Sequence, residues 1–266
     1  MDEQKLLIGE IPYANLFPIF FMLKRGTDIS GYEFIQGPPS ELNKKLREGL
    51  IDVSPSSSIE YLRHRDRYEL IENHSISSKG PVGSILLFSK VPIERLGGLT
   101  LLTSSQSETS VALVQIVLKK FYRLDCHFES SGMPLETALN SDYPYLLIGD
   151  EALRESLKWP GLHIYDLGDI WYKHTGLPFT FALWISHKAC CAGKIALYAK
   201  FIDDLGRAKT SALANLDTIA SSIPLKDTLS AEYLISYWRG MSFDFTLEHN
   251  KGLELFQTYA KELGLA

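Results

Sequence analysis

Along the first 65 residues, short apolar β-rich runs alternate with stretches whose apolar positions recur every three to four residues. KLLIGEI (5–11), YEFIQ (32–36) and IDVS (51–54) read as strands, and NLFPIFFMLKRG, SELNKKLREG and SSIEYLRHR read as helices. Such alternation predicts parallel strands joined by crossover helices. The pattern continues with strands at 82–89, 98–104, 126–130, 145–150 and 177–186, and with a helix over SETSVALVQIVLKKFYRL (107–124). Beyond residue 187 only helical periodicity remains, in KIALYAKFIDDLGRA, AEYLISYWRG and GLELFQTYAKELG. The fold class expected is therefore α/β with two lobes and mostly parallel sheets. The two long apolar strands, 82–89 and 177–186, are the expected crossovers, so residues 1–88 with 186–266 form lobe I and residues 89–185 form lobe II. No floppy linker or repeat interrupts either lobe, and a ligand cleft between compact lobes is the expected result.

Composition narrows the function classes. With 266 residues, 45% of them hydrophobic, the chain can build one large core or two modest ones. A net charge of −5 and scattered basic residues argue against nucleic acid as a partner. The start MDEQKLLIGE is acidic and lacks a signal-peptide pattern, and the apolar run Leu16–Leu23 contains Pro18 and is too short to span a bilayer, so a cytoplasmic protein is expected. Cys126, Cys190 and Cys191 form no disulfide framework, and the seven histidines make no metal-ligand spacing, so no metal is expected. Nucleotide-binding glycine motifs and the G-x-S-x-G elbow are absent as well, leaving no cofactor predicted.

Three strand-to-helix junctions stand out: PYANLFP with Asn15, SPSSSIEY with Ser56, Ser57 and Ser58, and SSQSETSVAL with Ser107, Thr109 and Ser110. Ordinary capping explains part of this, since Ser57 with Glu60 and Ser105 with Glu108 fit the S-x-x-E capping box. The surplus of hydroxyls goes beyond capping. At the carboxyl ends of parallel strands, hydroxyls and helix-start N–H groups form an anion site without basic side chains. Charge-assisted hydrogen bonds are worth about 1.5–3 kcal/mol each and micromolar binding needs about 8 kcal/mol, so a few donors suffice. Asp150, in LLIGD, is the best-placed carboxylate, with an N-cap as its ordinary role. Trp171, His174, Phe179 and Trp184 flank TGLPF and read as core, one or two of them being placed to wall a ring-shaped ligand.

Several segments together resemble the chorismate dehydratase family of the futalosine route to menaquinone: GEIPYANLFP, GPPSELNKKLREGLIDVSPSSSIEY, ISSKGPVGSILLFS, SETSVAL, LLIGDEAL and YDLGDIWYKHTGLPFTFALW, with a similar closing helix pair. The resemblance implies a type II periplasmic-binding-protein-like fold and loss of water from chorismate to give 3-[(1-carboxyvinyl)oxy]benzoate, with no cofactor. It implies Asn15 and Ser84 as the catalytic pair and Ser56, Ser57, Ser107, Thr109 and Asp150 as substrate-binding residues. Aromatisation drives the reaction, so the substrate's own enolpyruvyl carboxylate is the expected base and the protein needs donors more than bases. Two departures are Ala14, where the family has a bulkier residue, and the tyrosine and proline of SDYPYLLIGD. Competing expectations are the sister enzyme forming 1,4-dihydroxy-6-naphthoate, disfavoured because no histidine sits at a strand end, and a non-catalytic binder of aromatic carboxylates.

Overall fold

The computed structural model describes residues 4–104 and 108–266. The chain divides into two compact units, residues 1–76 with 182–245 and residues 77–181 with 246–266. In chain order, unit 1 begins with β1 (Leu6–Glu10), α1 (Phe17–Gly26), β2 (Tyr32–Gln36), α2 (Pro39–Arg47), β3 (Val53–Ser57) and α3 (Ser58–Arg63). A long strand, β4 (Tyr68–Ser78), carries the chain out. Unit 2 then forms β5 (Ile85–Ser89), β6 (Thr100–Thr103), α4 (Glu108–Ile116) running into a π-helical turn at Val117–Phe121, and β7 (His127–Ser130). It continues with α5 (Leu135–Asn140), β8 (Tyr145–Ile148), α6 (Gly149–Glu155), β9 (His163–Asp166) and α7 (Leu167–Thr175). The chain returns through β10 (Phe179–His187) to α8 (Lys188–Cys191), α9 (Ile195–Ala214), α10 (Leu216–Ala220), α11 (Ala231–Gly240) and β11 (Met241–Ser242). The last helix, α12 (Leu247–Glu262), belongs to unit 2.

One sheet has six strands in the order β11-β4-β10-β3-β1-β2 and the other five in the order β7-β6-β8-β5-β9. Both are mixed: β1 is parallel to β2 and β3, whereas β10 runs antiparallel to β3. Likewise β6 is parallel to β7 and β8, whereas β5 runs antiparallel to β8 and β9. In unit 1, Trp184 of β10 packs on Phe20 of α1 and Phe201 of α9, with ring centroids 5.5 and 5.9 Å away. The buried Asp204 of α9 accepts from the Tyr32 hydroxyl (2.7 Å) and from Lys200 (2.8 Å), tying that helix to β2. Burial pushes the Asp204 carboxyl up, but these hydrogen bonds and the Lys200 and Arg207 charges outweigh it and hold the group below its ordinary value.

The structure departs from the sequence reading in identifiable ways. The chain leaves unit 1 through β4, which the reading did not find, because YELIENHSISS mixes polar residues into a strand. Residues 82–88 go with unit 2 because β5 pairs with β8 and β9. The closing helix also goes there rather than with the N-terminal part: Phe256 packs on Phe179 (5.0 Å) and Trp171 (6.4 Å). Gly252 allows that approach, since a Cβ there would lie 2.1 Å from the Pro178 carbonyl oxygen. Among the described residues, no helix is long and apolar enough to cross a membrane.

Candidate active site

Unit 1 brings Asn15, Ser56 and Ser57 to one edge of its sheet. β1 and β3 are parallel, with Ile8 level with Val53, so both strands end on the side where open α/β sheets bind ligands. The strands are close enough that a Cβ on Gly9 would lie 2.5 Å from Ser54 Oγ. After β1 the chain turns tightly: the N–H groups of Leu16 and Phe17 each donate to the Tyr13 carbonyl at 3.1 Å. The buried Trp238 indole N–H donates to the Ala14 carbonyl at 2.7 Å and fixes the turn.

Asn15 is not spent on capping. The N-cap of α1 is Leu16, without a side-chain cap bond, and Pro18 in the first turn supplies the preset backbone. Asn15 therefore sits just ahead of the helix start, and its buried Oδ1 has no hydrogen-bond partner among the described residues. A buried oxygen left unpaired costs about 1–3 kcal/mol, which singles the group out as one the fold does not use.

Ser56 repeats the pattern, its Oγ fully buried and without a partner among the described residues. Ser57 does not: Asn43 Nδ2 donates to its Oγ at 2.9 Å, and its N–H donates to Asn43 Oδ1 at 3.4 Å. Residues 54–57 are strand rather than junction, because Ser54, Pro55, Ser56 and Ser57 pair with Ile185, Trp184, Leu183 and Ala182 of β10. The predicted capping box at Ser57 is also not made. Glu60, fully buried, instead accepts from Arg47 Nη1 at 2.7 Å and from the Tyr68 hydroxyl at 2.6 Å. Burial, with the Glu60 carboxylate beside it, pushes the Tyr68 hydroxyl far above its ordinary value and keeps it a donor.

Unit 2 gathers Ser84, Asp150 and Thr109. Ile85 of β5 pairs with Ile148 of β8, and the Gly149 N–H donates to the Ser84 carbonyl at 2.7 Å, placing Ser84 beside Gly149 and Asp150. β6 is parallel to β8, so α4 starts from the same edge, with Thr109 buried in its first turn. Ser84 is buried, and it closes the turn before β5 rather than lying in a strand from residue 82. Asp150 lies inside the first turn of α6, whose N-cap is Ile148, so the expected capping role is not made. Ser107, and Ser105 of the second predicted capping box, lie outside the described residues.

Asp166 escaped the sequence reading. Its Oδ1 caps α7, accepting from the N–H of Gly168 (2.9 Å) and Asp169 (3.2 Å), and its Oδ2 accepts from the N–H of Val82 (2.9 Å) and Gly83 (2.6 Å), the Val82 N–H being shared with Oδ1 at 3.1 Å. Burial pushes its carboxyl up against the opposing pull of those four backbone N–H groups. The available signal was D-L-G-D ahead of a helical run, an N-cap pattern, but nothing local names a partner eighty residues earlier. Of the flanking aromatics, Trp171, Phe179 and Trp184 are core, while His174 is exposed and stacks on Phe121 at 4.4 Å. Among the described residues, no group of three His, Cys, Asp or Glu is placed to hold a metal ion.

What the arrangement offers is therefore mostly neutral donors and acceptors on two sheet edges, one in each unit, with Asp150 the one carboxylate among the expected site residues. A family model described as menaquinone biosynthesis matches residues 6–262. The chain is 28% identical to the chorismate dehydratase of Thermus thermophilus, over 97% of its own length and 95% of that protein. It is 30% identical to the chorismate dehydratase of Campylobacter jejuni, over 77% of its own length and 75% of that one. Among solved structures, the periplasmic aliphatic sulphonate binding protein SsuA of Escherichia coli superposes with a TM-score of 0.68 at 14% identity, covering 98% of this chain and 93% of that one. That likeness shows the fold, a periplasmic-binding-protein architecture.

Proposed function

The chain belongs to the menaquinone-biosynthesis family, and from that premise we propose that it is a chorismate dehydratase, a hydro-lyase that converts chorismate to 3-[(1-carboxyvinyl)oxy]benzoate and water. The two named relatives support the assignment over the sister naphthoate-forming step and over a non-catalytic binder. Cytoplasmic localisation goes with this reading of a biosynthetic enzyme.

The observation that carries the site is two buried oxygens without a partner among the described residues, Asn15 Oδ1 and Ser56 Oγ. In the reaction, the C–H bond at the ring carbon bearing the enolpyruvyl ether breaks and its electron pair becomes a ring double bond. The neighbouring C–O bond breaks, and the hydroxide leaves as water with the released proton. The enolpyruvyl carboxylate, one flexible arm away from that C–H, takes the proton, so the protein's part is orientation and stabilisation of the departing oxygen. Asn15 and Ser84 act on the ring hydroxyl and the adjacent carboxylate. Ser56, Ser57, Ser107, Thr109 and Asp150 complete the polar surround, with Ser57 already engaged by Asn43.

Incubating the pure protein with chorismate and no added cofactor, and following the aromatic product by ultraviolet absorbance and mass, tests the activity. Loss of one water per chorismate is expected, and unchanged chorismate would refute the assignment. A chorismate amidated at the enolpyruvyl carboxylate is expected to bind without eliminating, and rapid elimination would remove the substrate from the role of base.

A further inference from the structure

We propose that Asp166 is a positioning residue for Ser84, the buried strut that sets the 80–84 turn against α7 so that the Ser84 hydroxyl is held in reacting geometry. The inference rests on the reading of Ser84 as a substrate-contacting group.

The turn is built on two glycines. Gly80 and Gly83 take φ values of +106° and +74°, which glycine adopts without strain and which leave the segment many alternatives in isolation. The Ser78 hydroxyl latches it locally by donating to the Gly80 carbonyl at 2.8 Å. Long-range restraint comes from Asp166, whose carboxylate takes the N–H groups of the two residues immediately before Ser84 while its other oxygen caps α7. Charge-assisted bonds of this kind are shorter and about twice as strong as neutral ones. Gly168 closes the same seam: a Cβ there would lie 2.7 Å from both the Gly80 carbonyl oxygen and Ser78 Oγ, so the first turn of α7 rests directly on the loop. On the far side of Ser84, its carbonyl is held by the Gly149 N–H. Ser84 is thus clamped from both sides, and the residues ahead of it are clamped by one carboxylate.

Asp166→Asn keeps the shape and retains Oδ1 as acceptor for the helix cap and, at 3.1 Å, for the Val82 N–H, but turns an N–H₂ toward the Gly83 N–H. Asp166→Ser keeps capping ability for α7 and removes the reach to the turn, so it serves if the first variant folds poorly. Three readouts decide. Misplacement by about 1 Å can cost on the order of 100-fold in rate, so kcat is expected to fall about 100-fold while KM stays within about threefold. Amide exchange at Gly83 is expected to quicken at least about tenfold, because its N–H loses its acceptor, whereas the Val82 N–H keeps Oδ1 as a second acceptor. In a Ser84→Ala background, Asp166→Asn is expected to cost less than about threefold in kcat, since the group it positions is already gone. Equal losses in both backgrounds, or unchanged exchange at Gly83, would overturn the proposal. A wild-type protein inactive on chorismate would instead count against the functional reading, and the exchange data would still decide whether Asp166 holds the turn.

Discussion

Replacing Ser56 with alanine should make the protein more stable and a worse enzyme. The wild-type hydroxyl is fully buried and unpartnered among the described residues, so it carries a desolvation cost of about 1–3 kcal/mol. Removing one oxygen leaves a void no larger than a methyl group, worth about 1 kcal/mol or less. The net expectation is a gain of about 1 kcal/mol, or about 2–4 °C in Tm for a chain of this size. If Ser56 instead donates to a substrate carboxylate, losing a bond of about 1.5–3 kcal/mol raises KM roughly ten- to a hundredfold. Urea and thermal unfolding read the first effect and chorismate kinetics the second. Ser57→Ala is the contrast, because it strips the Asn43 side chain of its acceptor and is expected to destabilise by about 1–2 kcal/mol. The reasoning fails if Ser56→Ala unfolds more easily by about 1 kcal/mol while KM is unchanged.

Two further expectations test the frame. Burial, helped by the Lys209 ammonium and opposed by Asp244, pushes His74 from 6.5 down to about 4, so its neutral form stabilises the fold above pH 6.5 and that contribution, about 3 kcal/mol at most, is lost as pH falls from 6.5 toward 4. Chemical denaturation across that range should show the loss and His74→Asn should flatten it; identical pH profiles would rule the residue out. Gly252→Ala should cost about 3 kcal/mol or more, because its Cβ would meet the Pro178 carbonyl oxygen at 2.1 Å, and an unfolding midpoint within error of wild type would contradict the packing of α12 on unit 2.

The alternation of apolar runs was enough to expose both α/β halves, because period-2 and period-3.6 signals are local. It failed where pairing is long-range. β4 reads as polar along YELIENHSISS yet is a strand of the six-stranded sheet. Pro55, Ser56 and Ser57, read as a junction, are drawn into β3 by β10, more than a hundred residues later. The site was legible in part. Asn15 and Ser56 were found as polar residues at strand ends, but that their oxygens go unused by the fold required coordinates. The Ser57–Glu60 spacing suggested a cap; burial of Glu60 beside Arg47 and Tyr68 decided otherwise. Asp166 was invisible as a strut because its partners, Val82 and Gly83, are backbone groups that leave no mark on sequence.

Chorismate turnover by Ser84→Ala and Asn15→Asp, measured beside wild type with melting temperatures in parallel, bears most directly on the proposal that neutral oriented groups, Asn15 and Ser84 first among them, drive the loss of water. Wild type is expected to release the aromatic enolpyruvyl ether, and each variant to lose at least about 100-fold in kcat while melting within a few degrees of wild type. Variants that dehydrate chorismate at the wild-type rate would contradict it.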